Sequence, residues 1–137
     1  MKKLTTCLGL TGLLLLSACT SAPPAAAKEI QTERTKDLAI SLMSEKGELA
    51  MGKNQFIVTF RSAASNEPVD VGSVTVSSAM AMPGMAPMTA PIELEPAGAK
   101  GQYTAKGDFA MSGAWKFEVR WDGPAGKGSA SFNTNVR

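Results

Sequence analysis

The sequence predicts an all-β protein, an immunoglobulin-like antiparallel β-sandwich of about seven strands. From residue 37 onward, apolar residues recur with a period of two, and groups of turn-favouring residues separate these apolar segments. No segment of this region shows the 3.6-residue apolar period of an amphipathic helix. The folded domain is therefore expected to span residues 37–137.

The predicted strands are short and bounded by turn residues. Leu38, Ile40 and Leu42 begin the first strand, which ends at the Glu-Lys-Gly turn of residues 45–47. The other six strands are expected around 56–60, 71–78, 92–94, 103–105, 115–121 and 130–136. One face of the sixth strand carries four large apolar side chains, Trp115, Phe117, Val119 and Trp121. A buried large side chain contributes roughly 1.5 to 3 kcal/mol, so this strand is expected to supply the largest share of the core.

The first 18 residues are typical of a bacterial lipoprotein signal peptide. Two lysines precede an apolar run over 4–16, which at about 13 residues is shorter than the roughly 20 that span a bilayer as a helix. Residues 16–19, Leu-Ser-Ala-Cys, resemble a lipobox, in which the cysteine is acylated and becomes the first mature residue. We therefore predict a lipid on Cys19, with an ordinary cleaved signal peptide as the alternative.

The segment behind Cys19 is expected to be a tether. Residues 19–36 are rich in proline, alanine and charged residues, and such segments favour an extended or disordered chain. A short helix over the alanine run at 25–27 is the alternative. By analogy with lipoprotein sorting, Thr20 after the cysteine favours the periplasmic face of the outer membrane. The lipid membrane is thus the first expected partner.

Charge and composition exclude several functions. Two of the 14 basic residues leave with the signal, so the mature chain carries 12 basic and 12 acidic residues. It has no basic excess for nucleic acid or for anionic lipid. Cys7 leaves with the signal, Cys19 carries the lipid, and the chain has no histidine. The folded part is therefore expected to have no disulfide and no cysteine or histidine chemistry.

One loop is unusually rich in methionine. Residues 79–88 contain four, Met80, Met82, Met85 and Met88. Their thioethers are soft, neutral ligands that favour Cu(I). A turn at Pro83-Gly84 is expected to bring Met82 towards Met85, Met80 or Met88 to supply a third sulfur, and Met111 to approach from another loop. The alternative is that these methionines fill gaps or cover an apolar patch at the end of the sandwich.

Nothing in the sequence predicts catalysis. The serines at 77, 78 and 129 have no histidine to act as a base, so a Ser-His-acid triad is excluded. The carboxylates are scattered along turns and strands and are expected to be solvated. We expect that the protein is not an enzyme.

Residues 52–136 resemble the YtkA-like (FixH/YtkA) family. The resemblance rests on the glycine and asparagine that open the second strand and on the Ala-Met-Pro-Gly-Met segment at 81–85. It continues through Gly-Gln-Tyr at 101–103 and through 109–115, where Met-Ser-Gly-x-Trp precedes a long alternating strand.

The resemblance implies a small β-sandwich on the outer face of a bacterial membrane, binding Cu(I) or no cofactor, for copper handling or delivery. The implied partner is a copper pump, an oxidase-assembly protein or an efflux protein. Relatives often carry histidine near the methionine loop, and its absence here counts against Cu(II). The sequence shows no counterpart of the membrane-spanning segment of FixH proteins, and the lipid on Cys19 is expected to take its place. The alternative function is a non-metal module that docks on an envelope complex through its apolar methionine loop.

Overall fold

The structure, a computed structural model, describes residues 27–137. Within these residues the chain forms nine β-strands, and no helix has the length and apolar character to cross a bilayer. The strands are β1 Lys28–Arg34, β2 Leu38–Ser44, β3 Gly52–Ser62, β4 Ser73–Met80, β5 Met88–Ala90, β6 Ile92–Pro96, β7 Gln102–Phe109, β8 Gly113–Gly123 and β9 Gly126–Val136.

The strands form two antiparallel sheets that pack as a sandwich. The first sheet has the order β1-β2-β3-β7-β6, and the second has the order β5-β4-β8-β9. The chain changes sheets across Pro91, a residue that has no N–H to give to a ladder. β8 and β9 form a hairpin in which Gly123 lies opposite Gly126, between the predicted strands around 115–121 and 130–136. The predicted all-β sandwich is confirmed.

Two strands lie outside the predicted seven. β5 is only three residues long and pairs with β4 inside the methionine-rich segment. β1 pairs with β2 and lies in the segment that the sequence assigns to the tether of 19–36. Neither strand has a clear apolar alternation, because one is too short to show a period and the other is an edge strand of mostly polar residues.

The folded part therefore begins before residue 37. β1 is attached by its ladder to β2, by Ile30 packed against the core, and by a side-chain hydrogen bond between the hydroxyls of Thr32 and Ser41. This corrects the tether prediction over 28–34. The predicted signal peptide 1–18, the lipid site Cys19 and the tether up to residue 26 lie outside the described residues.

The core lies between the two sheets and is rich in aromatic side chains. The four large residues of β8 face inward and are at most 6% exposed. Phe109 makes edge-to-face contacts with Trp115 and Phe117, at centroid distances of 5.2 and 5.6 Å. Such pairs add about 0.5 to 1.5 kcal/mol beyond the area they bury. This packing holds β7 and β8, and hence the loop between them, in place.

The sandwich end that carries the β3–β4 and β6–β7 connections is closed by Tyr103. Its hydroxyl donates a hydrogen bond to the carbonyl of Gly72 at 2.8 Å, and its ring packs edge-to-face on Phe60. Burial of the ring raises the pKa of Tyr103, and the nearby Asp70 carboxylate raises it further. The hydroxyl therefore keeps its proton to higher pH than a free tyrosine, and remains a donor to Gly72.

Candidate functional site

The ladder registers place several strand ends at one end of the sandwich. At this end Met80 of β4 lies opposite Met88 of β5, Gly52 of β3 opposite Phe109 of β7, and Gly113 of β8 opposite Val136 of β9. We call it the methionine end, and it consists of residues 45–52, 80–88, 109–113 and 136–137. The five predicted ligands, four in the segment 80–88 and Met111 in the β7–β8 loop, thus lie at the same end.

Met82 and Met85 flank the tight turn that the sequence predicts. The Met85 N–H donates to the Met82 carbonyl at 3.2 Å, and Gly84 has a φ of 73°. Proline followed by a glycine with positive φ is the pattern of a type II turn. Met85 is 69% exposed and Met82 is half-buried. The turn therefore holds two thioethers three residues apart, with at least one of them open to solvent.

Met80 and Met88 lie in strands rather than in the loop. They are directly opposite each other in the β4–β5 ladder, and opposite residues in such a ladder project to the same face. Met80 continues the inward face of Val76 and Ser78, and both methionines are half-buried against the core. The structure therefore brings this pair together at the rim of the sandwich, where the thioethers also serve as packing.

Met111 reaches the same end from the β7–β8 loop. Its carbonyl accepts a hydrogen bond from the indole N–H of Trp115 at 3.0 Å, and its side chain is 40% exposed. The Cε atom of Met80 lies 2.7 Å from the point where a Cβ of Gly113 would stand. The Met80 side chain thus lies over the backbone two residues after Met111, and its flexible methyl end would have to shift to admit a Cβ there.

The five predicted ligands fall into three groups. Backbone contacts join Met82 to Met85, and register joins Met80 to Met88. Met111 is connected to these groups through the contact of Met80 with Gly113, rather than through a ladder of its own. The structure places the groups at one end, and their joint binding of a metal ion remains a prediction.

Sequence reasoning missed Met51. It is 63% exposed and directly precedes Gly52, the first residue of β3, so it also lies at the methionine end. Within the described residues, the exposed large apolar side chains are Met51, Met85 and Met111, and all three lie at this end. An isolated methionine in a loop is a weak signal, because the other methionines of this end are distant in sequence.

Charged groups contribute little to this end. Among residues 27–137 there is no group of three or more aspartate, glutamate, histidine or cysteine residues arranged to hold a metal ion. Arg137 and Glu48 form an ion pair at 2.9 Å in which both side chains are solvent-exposed. Such surface pairs contribute little to the stability of the fold. The chemistry of the methionine end is thus that of thioethers.

The surface grooves only partly coincide with the methionines. One groove, of about 550 Å³, lies on the outer face of the first sheet between Lys53, Glu93 and Lys106. A second, of about 580 Å³, includes Met43 and Met51 in its lining. A bare metal ion needs donor atoms rather than a large cavity, so the thioethers and not the grooves define the candidate site.

The two packed antiparallel sheets make this a small immunoglobulin-like all-β domain, and its thioethers lie together at one end. The chain belongs to the YtkA-like family, whose model matches residues 32–120. The match begins within β1 and ends within β8, so it starts earlier and stops sooner than the resemblance over 52–136. A search of curated proteins finds no match.

Three solved structures are similar to this chain. A DUF4426 family protein from Pseudomonas aeruginosa PAO1 has 17% identity and a TM-score of 0.54, covering 77% of this chain and 96% of its own. The methionine-rich copper resistance protein PcoC from Escherichia coli has 13% identity and a TM-score of 0.48, covering 66% and 88%. A copper-bound FetP variant from uropathogenic Escherichia coli has 9% identity and a TM-score of 0.51, covering 81% and 97%. At these identities the two likenesses with a TM-score above 0.5 show the fold alone.

Proposed function

We propose that this chain is a lipid-anchored envelope protein that binds Cu(I) through thioethers at its methionine end, and that it buffers or delivers the ion. The observation that carries the proposal is that five methionines, from the β4–β5 segment and from the β7–β8 loop, share one end of the sandwich. One solved structure of the same fold contains copper, but that is a property of the other protein. The proposal rests on the methionines of this chain.

The exposure of these side chains supports a metal-binding role over a packing role. Gap-filling methionines are buried, whereas Met85 and Met111 are 69% and 40% exposed. Thioethers need no deprotonation to bind, and as soft ligands they select Cu(I) over hard cations. In an oxidising compartment they also remain available where free thiols form disulfides. The half-buried pair Met80 and Met88 would limit the access of water to the ion.

The position of the start of β1 supports a function close to a membrane surface. Lys28 lies opposite Ser44, and its side chain lies close to Gly47. Gly47 belongs to the β2–β3 loop, which also carries Met51. Cys19 lies nine residues before Lys28. Because a chain spans at most about 3.6 Å per residue, the anchored β1 start lies within roughly 32 Å of the lipid. We infer that the methionine end faces the membrane and passes Cu(I) to a membrane-bound pump, oxidase-assembly or efflux protein.

Replacing Met82 and Met85 by leucine is expected to weaken Cu(I) binding at least tenfold. Leucine keeps the apolar bulk and removes the sulfur, and the loss of groups that only support a metal ligand already costs about 10 to 100-fold in affinity. Affinity is measured by competition with a chromophoric Cu(I) chelator under ascorbate. The mature chain carries Cys19→Ser throughout, so that no thiol competes.

Met43→Leu is the matched control, because Met43 lies opposite Ile57 on the outer face of the first sheet. It is expected to leave the affinity unchanged. Absence of Cu(I) binding in the parent chain, or binding that survives both loop substitutions, would falsify the loop site.

The second candidate function is docking on an envelope complex without a metal. The exposed apolar surface of Met51, Met85 and Met111 favours it. Leucine and serine variants separate the two functions. Docking is expected to survive Met85→Leu and to be lost in Met85→Ser, whereas Cu(I) binding is expected to weaken in both.

We further propose that the protein is not an enzyme and does not bind nucleic acid.

Replacing Cys19 by serine is expected to release the protein from the membrane fraction, because a serine cannot form the thioether to the lipid. Membrane and soluble fractions are compared by immunoblot, and the acyl mass on residue 19 is checked by mass spectrometry. Cys7→Ser is the control, since residue 7 leaves with the signal. Equal membrane retention of both variants would contradict the anchor.

A further inference from the structure

Met51 is held in the methionine end by two separate backbone connections. Its N–H donates a hydrogen bond to the carbonyl of Arg137, and the N–H of Arg137 donates to the carbonyl of Leu49 at 2.9 Å. Leu49 also pairs with Val136 through a parallel bridge. The segment 49–51 therefore lies along the last residues of the chain, and its position is determined although the Met51 side chain is 63% exposed.

The residues that position Met51 also flank the loop of Met111. Gly52, which follows Met51, lies opposite Phe109, two residues before Met111. Val136, which pairs with Leu49, lies opposite Gly113, two residues after Met111. The two methionines are thus bracketed by the same two ladders, one from each sheet. Both side chains are exposed, long and flexible, and are free to turn towards a shared ion.

We propose that Met51 and Met111 bind the same Cu(I) ion, and that they form the outermost, exchangeable position of the methionine end. This inference rests on the proposed Cu(I) function, and it adds a ligand from the β2–β3 loop to it. The two exposed thioethers suit an ion that enters or leaves by ligand exchange. The half-buried pair Met80 and Met88 instead suits an ion that is retained.

A competing pair for Met51 exists in the structure. Met43 and Met51 line the same groove of about 580 Å³, at the start of β1. Met43 belongs to the outer face of the first sheet, opposite Ile57, and it is half-buried. The bracketing ladders favour Met111 as the partner of Met51, and the two pairs make different predictions for a Met43 variant.

The test measures Cu(I) affinity in the mature Cys19→Ser chain for Met51→Leu, Met111→Leu, their double variant and Met43→Leu. Met51→Leu and Met111→Leu are each expected to weaken binding at least about tenfold. Because two ligands of one ion do not act independently, the double variant is expected to lose far less than the product of the two single losses. Met43→Leu is expected to bind as the parent does. Thermal unfolding checks that every variant is folded.

Each failure has its own signature. If Met51→Leu binds like the parent while Met82→Leu/Met85→Leu is weakened, this inference is wrong and the proposed function stands. If the loss of Cu(I) affinity in the double variant equals the product of the two single losses, the two methionines act independently and do not share an ion. If Met43→Leu weakens Cu(I) binding as much as Met51→Leu does, Met51 pairs with Met43 in the groove. Either result overturns the pairing of Met51 with Met111. A parent chain that binds no Cu(I) overturns the proposed function itself.

Discussion

Replacing Trp115 by alanine is expected to lower the free energy of unfolding by about 3 to 5 kcal/mol. The side chain is 1% exposed, and it packs edge-to-face on Phe109 at a centroid distance of 5.2 Å. The truncation leaves a cavity at the methionine end that these rings fill in the native protein. Urea unfolding followed by the circular dichroism of the strands measures the loss.

Trp115→Phe separates packing from the hydrogen bond to the Met111 carbonyl. Phenylalanine keeps an aromatic ring but has no N–H. Besides the cost of the smaller ring, the missing hydrogen bond is expected to lower the free energy of unfolding by about 0.5 to 1.5 kcal/mol. Trp121→Phe makes the same change near the other end of β8, where Trp121 packs on Phe60. Equal destabilisation by the two substitutions would show that the Met111 hydrogen bond contributes nothing. A weaker Cu(I) affinity in Trp115→Phe alone would show that this bond positions a ligand.

Replacing Gly101 by alanine is expected to destabilise the fold by more than about 3 kcal/mol. Gly101 has a φ of 68°, which disfavours any residue with a Cβ. The added Cβ would also stand 2.6 Å from the Val69 carbonyl oxygen and 2.7 Å from that of Phe60. Both are backbone atoms: Phe60 lies in the ladder of β3, and Val69 is joined to it by the hydrogen bond from its N–H to the Phe60 carbonyl at 3.1 Å. They cannot move aside as a flexible side chain would.

Gly98→Ala provides the matched control in the same β6–β7 loop. Gly98 has a φ of 76°, but nothing lies within 4 Å of the position of its Cβ. It is expected to cost only the left-handed backbone strain of about 1 to 2 kcal/mol. The difference between the two midpoints of thermal unfolding therefore measures the close approach at Gly101. Similar midpoints would mean that the backbone there relaxes, and that the strain alone determines both losses.

Membership of the YtkA-like family and the all-β fold class can both be predicted from local sequence patterns. The alternation in β8 predicts an inward face of four large side chains, and all four are buried in the structure. The proline and glycine of the methionine loop predict its turn, and the hydrogen bond from Met85 to Met82 confirms that turn. Local chemistry was sufficient in both cases, because strand alternation and turn type depend on neighbouring residues.

The edges of the sheets were harder to predict. β1 has few apolar residues, since an edge strand of this kind buries little of its surface, and it was predicted to be part of a tether. β5 is three residues long and exists because Met88 and Ala90 meet β4 on its inward face. A strand that depends on its partner for stability carries little signal of its own.

The sequence by itself determined the chemistry available to this protein. It has no histidine, two cysteines that we predict to leave with the signal and to carry the lipid, and a set of methionines whose thioethers favour Cu(I). Only the tertiary structure decided which of these methionines share a surface. Met51 and Met111 are sixty residues apart, and the β3–β7 and β8–β9 ladders place them at one end. The physical reason is that ladder register comes from the burial of whole strands across the core, which no single loop sequence encodes.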